Sequence, residues 1–512
     1  MIRNMLKKGV IAIYNFLDKP EEAGKTDKIK YYEKLIKKFR YSKKRQYQII
    51  GERYYKGDHD IKNKKRTLIN EDGEECELKN APNSKRIDNQ YSLAVDKKVN
   101  YLLGKKPSFN SESEALVDGL NAIFDNRFHR TFKNVLKDAL NCGLGYLYVY
   151  IDEYSKLRFK RLKPYEVYPV WKDDEHTELE LAIRIYQDTT TNEFGIEESV
   201  EYMEVYTTDK VELYLLDGDT IKEKVSEFPY LTKSDNNSET WLNWGTQLPI
   251  LAFKYNTDEM PLIQKIKPLQ DGLNEVISMF NDNMAESPFS NILVIKNLDG
   301  TDTSRFKRNL AQTGIIKVRN TTDAQGGVDQ LKVEVNAKNY ETIISVFRNA
   351  IIENARSFDA KGDMMSSRPN EMNIQSMYSD IDIDSNGIEV EFKATFDIIF
   401  EIVKMYLIGI KGKSGIKVDD KAEILFSKDV LINESQVIND ILLSMNVISR
   451  KTLVEKHPYI NNVTEELRRI EEEEAEKIKH ESDLLIKNKE MANSVDNTKK
   501  EELRDVEKVK SV

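Results

Sequence analysis

A chain of 512 residues, 39% hydrophobic and 32% charged, with a mean hydropathy of -0.59, is long enough for several cores and too polar to read as a membrane-spanning protein. Its net charge of -9 disfavours a protein that holds nucleic acid by neutralising phosphates, because that needs concentrated Lys and Arg. The two cysteines, Cys76 and Cys142, support neither a disulfide framework nor a thiolate metal site, and fit a reducing cytoplasm.

The apolar stretch 9–17 behind Arg3, Lys7 and Lys8 lacks a small-residue cleavage site and is broken by Asn15, so it reads as an amphipathic surface helix. The first 65 residues carry about eleven more basic than acidic groups. Between residues 27 and 50, Leu35, Ile36 and Phe39 stand at helical spacing among Lys34, Lys37, Lys38 and Arg40, the pattern of an exposed amphipathic helix. Residues 67–78 predict a hairpin around Asp72-Gly73, and 89–103 a helix closed by Gly104. Ser111 and Glu114 have the spacing of a capping box. From Tyr146 the period becomes two, and strands are expected at 146–151, 157–162, 179–186, 200–206, 211–215 and 250–255, forming one antiparallel meander attached to helices.

After Pro261 the period returns to that of a helix. Leu262, Ile266, Leu269, Leu273, Val276, Phe280 and Met284 make a narrow stripe suited to packing on a neighbouring helix, with Pro268 expected to delay its regular start. Pro288 ends it, and a β-rich insert follows with the basic residues Arg305, Lys307, Arg308, Lys317 and Arg319. Tyr340, Ile343, Ile344, Phe347, Ile351, Ala355 and Phe358 form a second stripe, so two helices bracket a small β module as a stalk with a tip. Residues 359–373 lack periodicity and predict an exposed loop. Phe392, Phe396, Ile399, Phe400, Val403 and Leu407 mark a helix ending near Gly409 or Gly412. The last 80 or so residues predict helices, opening on Asn433 and Gln436 as a capping pair and ending in a polar tail.

A search for chemistry returns little. His59, His129, His176, His457 and His480 are scattered without metal-ligand spacing, Gly143-Leu144-Gly145 precedes a strand instead of joining strand to helix, and no phosphate-binding loop motif occurs. Asp382, Asp384, Asn386 and Gly387 match half of an EF-hand loop, but Lys393 stands where the bidentate glutamate belongs, so capping aspartates at a helix start or kink are expected instead. No catalytic residue, metal or cofactor is assigned.

Several segments resemble, in order, those of the SPP1-like tailed-bacteriophage portal protein family. Tyr54-Tyr55-Lys56-Gly57-Asp58-His59-Asp60-Ile61 is similar to its YYxGxHxI segment. Asn83 to Asp88 with Tyr91, Val95-Asp96-Lys97-Lys98, Tyr101-Leu102-Leu103-Gly104-Lys105 and Pro107 resemble the block that follows, and Asn141-Cys142-Gly143-Leu144-Gly145-Tyr146 its glycine turn into a strand. Pro164-Tyr165-Glu166-Val167-Tyr168-Pro169-Val170-Trp171 and Ala182-Ile183-Arg184-Ile185-Tyr186 continue the likeness. It runs on through residues 269–278 and 375–384 to about Glu474, and is weakest in the insert and the tail.

The resemblance implies an α+β, portal-type multidomain subunit: a β-rich wing over residues 1–260, a stem of two helices at 261–286 and 337–358, and a small α/β clip at 287–336. A tunnel loop at 359–373, a long wing helix at 374–412, a helical crown at 413–491 and a disordered tail at 492–512 would follow. Such subunits form rings, usually of twelve copies, around double-stranded DNA at one capsid vertex of the virion, after assembly in the host cytoplasm. They are non-enzymatic, touch no membrane, and meet the terminase large subunit, major capsid and scaffolding proteins, and a head-completion or adaptor protein. An acidic wall suits sliding, since each lysine–phosphate contact would have to break at every step. Lys361, Asp363, Met364, Met365, Ser366, Ser367 and Arg368 would line the channel. Leu273, Phe280, Phe347 and Ile351 would pack the stem within and between subunits, and Arg305, Lys307, Arg308, Lys317 and Arg319 would dock clip partners. The alternatives are a DNA-processing metalloenzyme using Asp380, Asp382 and Asp384, or a minor head scaffold without a channel.

Overall fold

The computed structural model describes residues 27–70, 72–79, 81–191, 197–235, 238–245, 247–286, 292–296, 318, 326–331, 336–359, 371–428, 434–445, 447–460, 463 and 465–482. Two units divide the chain: Met1–Arg368 with Gln375–Asp429, and Pro369–Ile374 with Val430–Val512.

In the first unit the expected N-terminal helix is two helices, α1 (Asp27–Arg40) and α2 (Lys43–Tyr55). The break lies at Ser42, whose Oγ caps α2 by accepting from the Arg45 N–H at 3.1 Å. Nor is α1 an exposed helix. Tyr32, Leu35, Ile36 and Phe39 are buried against Leu181, Ile183, Ile185, Met203, Val205, Tyr214, Leu216 and Ile221 of a sheet, worth about 1.5–3 kcal/mol for each large side chain. Its lysines solvate the outer face.

Strands β1 (Thr67–Ile69) and β2 (Glu75–Glu77) form the hairpin turned at Gly73, and α3 (Gln90–Leu103) follows, capped by Asn89. After β3 (Ser108–Ser111), α4 (Glu114–Ile123) starts on Ser113, not Ser111. The Ser111 hydroxyl instead accepts from the Ser113 N–H and donates to the Lys421 carbonyl, so the capping box is absent. Asp125 caps α5 (Asn126–Cys142) through two N–H groups at 2.9 Å.

The strands are β4 (Leu144–Ile151), β5 (Leu157–Leu162), β6 (Val167–Trp171), β7 (Leu179–Thr191), β8 (Glu197–Tyr206), β9 (Lys210–Asp217), β10 (Thr220–Pro229), β11 (Leu231–Asp235), β12 (Ser238–Leu242) and β13 (Ile250–Lys254). They make separate sheets instead of one meander: a five-stranded β10-β9-β8-β7-β6, a three-stranded β13-β4-β5, and a β11-β12 hairpin. A helical turn at Pro164–Glu166 separates β5 from β6, and β13 returns to pair with β4.

The long helices come next: α6 (Leu262–Glu286), the antiparallel pair β14 (Ile292–Lys296) and β15 (Gly327–Leu331), α7 (Ala337–Asn354) and α8 (Glu371–Met405), which ends in a π-helical turn at Tyr406–Ile410. Strand β16 (Ala422–Leu425) then pairs with β3. Pro268 lies inside a continuous α6 and does not delay it. Only one backbone bond is forfeited there, while Leu262, Ile263 and Ile266 ahead of it are fully buried and hold that turn.

A phenylalanine cluster joins β3, α5, β13 and α8. Phe392, Phe396 and Phe400, at spacings of four on α8, meet Phe132, Phe253 and Phe109, with Phe132 and Phe396 edge-to-face at 5.3 Å and Phe253 and Phe392 at 4.9 Å. In the second unit, α9 (Glu434–Ser444), α10 (Arg450–Lys456) and a helical stretch at 465–482 give the expected helices, with Leu443 and Val447 openly exposed. No helix of the described residues is long and apolar enough to cross a membrane.

At the end of α5, Gly143 takes φ 82°, its N–H closes the helix on the Ala139 carbonyl at 2.7 Å, and a Cβ there would overlap the Glu259 backbone. Gly143→Ala is expected to cost about 3 kcal/mol or more by denaturant unfolding. Gly73→Ala, with the same φ in open space, should cost about 1 kcal/mol. Equal costs would contradict the packing account of this junction.

Candidate functional site

Helices α6 and α7 run antiparallel. Phe280 near the end of α6 meets Tyr340 at the start of α7, 5.0 Å between ring centroids, and the Asn283 amide donates to the Tyr340 hydroxyl at 2.7 Å. Farther along, the Phe347 ring lies over Gly272, where a Cβ would crowd it. Leu273 and Ile351 are fully buried in one cluster, with Phe280 and Phe347 half-buried. Among the polar residues of the outer faces stand open apolar ones: Ile343 and Val346 on α7 are 43% and 61% exposed, Met279 and Met284 on α6 45% and 50%.

The opposite side of α6 is polar yet buried. Gln270, Asn274, Ser278 and Asp282, at spacings of four, accept the backbone N–H groups of Tyr91, Asp88, Arg86 and Ser84 at 3.0, 3.1, 3.0 and 2.7 Å. The periods match. Four helical residues rise about 6 Å and two extended residues about 6.6 Å, so alternate N–H groups of the strap 84–88 meet successive turns of α6. Gln270 also donates to the Asp88 carbonyl at 2.7 Å, and Arg348 of α7 reaches the Asp88 carboxylate at 2.8 Å. Arg66 closes the far end, donating to the Pro82 carbonyl and to Glu286.

Behind the strap lies His59, fully buried. Its Nδ1 accepts from the Asn274 amide at 2.8 Å, so Nε2, 3.0 Å from the Tyr54 carbonyl, carries the proton and the ring is neutral.

Where α7 ends and α8 passes, both are tied to α3. Lys98, buried in full, donates to Asp384 at 2.6 Å and to the Arg356 carbonyl at 3.1 Å. Burial pulls its pKa down, opposed by the Asp384 charge. Tyr255 donates to the same carboxylate at 3.1 Å. Asp382 accepts from Lys428 at 2.7 Å and from the Tyr101 hydroxyl at 3.1 Å, and Asn386 accepts from Lys428. These residues lie inside the continuous helix α8, not at a helix start or in a cation loop. Asp384 and Asp382 are thus each paired with a lysine, Lys98 and Lys428, while Asp380 is exposed. Among the described residues no group of three or more His, Cys, Asp or Glu side chains is placed to hold a metal ion.

The family model described as phage portal protein, SPP1 Gp6-like, matches residues 36–480. The chain belongs to this portal family. It is 26% identical over 432 residues to the portal protein of Bacillus phage SPP1, covering 83% of this chain and 82% of that one. With the portal protein of Clostridium phage phiCD119 the identity is 23% over 434 residues, covering 82% and 91%.

Of the residues singled out for a portal role, Leu273, Phe280, Phe347 and Ile351 come together on α6 and α7. Arg305, Lys307, Arg308, Lys317 and Arg319, and likewise Lys361, Asp363, Met364, Met365, Ser366, Ser367 and Arg368, lie outside the described residues. The polar ladder of α6 and the lysine ties of α3 went unread in the sequence. A run of Gln, Asn, Ser and Asp at spacings of four resembles a solvated helix face, and only its poverty in Lys and Glu hints otherwise.

His59 carries a pH signature. Its folded pKa lies below 6.5 because burial disfavours the cation, so below that pH the unfolded chain binds the proton first and stability falls as pH falls. Between about pH 7 and pH 5, thermal unfolding should show a steeper loss for the parent than for His59→Asn, although the variant starts less stable. Parallel profiles would place the neutral histidine elsewhere in the energetics.

Proposed function

We propose that copies of this chain close into a portal ring at one capsid vertex, through which double-stranded DNA is packaged and ejected. In this reading residues up to about 260 form the wing, α6 and α7 the stem, residues 287–336 the clip, and α8 the long helix of the wing. Residues 413–491 form the crown. The observation that carries it is the set of large apolar side chains left open on the α6–α7 pair. An antiparallel pair with Ile343, Val346, Met279 and Met284 open on its outer sides buries them by meeting the next copy, and a repeated head-to-tail contact closes into a ring.

Membership of the portal family supports the same reading. The DNA-facing segment is 359–373, between α7 and α8, where Lys361 and Arg368 touch phosphates lightly and Asp363 keeps net attraction small, with Met364, Met365, Ser366 and Ser367 beside them. A net charge of -9 favours sliding over gripping. The clip residues Arg305, Lys307, Arg308, Lys317 and Arg319 dock the terminase large subunit and later a head-completion protein. The wing and crown meet capsid and scaffolding proteins. The subunit does no chemistry of its own.

Leu273 and Ile351 are spent inside one chain, so charges placed there would report on folding. The exposed residues of α7 test assembly. Ile343→Asp combined with Val346→Asp should leave the circular dichroism spectrum unchanged while light scattering shows the ring mass replaced by monomer. A variant that keeps the parent's mass would place the contact elsewhere, and a parent that is itself monomeric would overturn the ring.

A further inference from the structure

Lys98 is a lysine with no exposed side-chain surface, balanced by one carboxylate. Such a pair is weak evidence for stability, because taking both charges out of water offsets their attraction, and replacing both with apolar residues is often neutral or stabilising. What the pair supplies here is position. One ammonium joins Asp384 of α8 to the carbonyl of Arg356, which lies just past the end of α7. Arg356 takes φ 47°, a left-handed conformation that costs a non-glycine residue roughly 1 kcal/mol. Its N–H and that of Ser357 return to the Glu353 and Ile352 carbonyls, and its own carbonyl is left for Lys98.

Neighbouring residues of α3 repeat the arrangement. Lys97 donates to the Phe358 carbonyl at 2.5 Å and lies 5.0 Å from the centre of its ring. Tyr101 stacks on Tyr378 of α8 at 5.8 Å and donates to Asp382. Phe358 and Tyr378 themselves meet at 4.7 Å. One helical turn of α3 thus holds both the exit of α7 and the near half of α8.

We propose that Lys97, Lys98 and Tyr101 are positioning residues that set the distance between the exit of α7 and α8, with the buried Lys98–Asp384 pair kept for that geometry and not for stability. The proposal rests on the portal reading for its purpose: these are the two attachment points of the connection assigned above to the DNA path, and a ring needs them alike in every copy. A hydrophobic pair would fill the same space without directing the Arg356 carbonyl.

Nitroxide labels at the exposed positions Glu353 and Asp380, in a Cys76→Ser background with labelled copies diluted among unlabelled ones, measure this distance in the full chain. The parent should give one narrow distance. Lys98→Met with Asp384→Leu should melt within about 5 °C of the parent yet at least double the width of the distribution. Lys97→Met, which leaves the buried pair intact, should broaden it less. Parent-like distributions in both variants would overturn the proposal, and a narrow distance in the double variant with a large fall in melting temperature would show the pair to be a stability element. Oligomeric mass, measured on the same samples, reports separately on the portal reading.

Discussion

The extended backbone of residues 84–88 lies outside every described sheet, and its N–H groups, with that of Tyr91 in the first turn of α3, are satisfied by α6. An amide shielded from water without a partner costs about 1–3 kcal/mol, and the N–H groups of Ser84, Arg86, Asp88 and Tyr91 all point at α6. That helix meets the need with Gln270, Asn274, Ser278 and Asp282. It is therefore two-faced in an unusual sense: buried and polar toward the strap, apolar toward α7, and exposed only between these faces. The register of α6 is consequently fixed twice, by apolar packing through Leu273 and by hydrogen bonding, and a slip of one residue would break both.

Leu262, Ile263 and Ile266 hold the turn before Pro268, and the strap helps to hold α7 in place. Arg348 reaches across to Asp88, so the strap ties the second helix to the first. On the far side, the phenylalanines of α8 lock into α5 and β13 through edge-to-face contacts, each about 0.5–1.5 kcal/mol beyond its buried area. The first unit combines a core of aliphatic and aromatic side chains with polar ladders at its margin, which supply registration.

Periodicity made much of this legible in advance. The strands at 157–162 and 250–254 and the helices α6, α7 and α8 are stated by alternation or by steps of three and four, because one face of each is buried. Sheet membership was not legible, since β4 and β5 and the β6–β10 meander carry the same alternation and only the return of β13 separates them. The burial of α1 was hidden for a related reason: Tyr32, Leu35, Ile36 and Phe39 announce an apolar face but not the sheet that covers it. Asp382 and Asp384 looked like half a cation site because spacing cannot show that Lys98 and Lys428 arrive from distant segments. The motif order that resembles the portal family was readable because turns and buried aromatics recur at set distances along the chain, whatever surrounds them.

Membership of the portal family and the open Ile343 and Val346 of α7 are the grounds of the proposal that this chain is a unit of a closed ring around a DNA path. Electron microscopy of the purified full chain tests it most directly. Class averages should show closed rings of uniform subunit number, viewed end-on with a central opening wide enough for a duplex and the α6–α7 pairs around it. Compact single subunits, or open filaments without a channel, would contradict it.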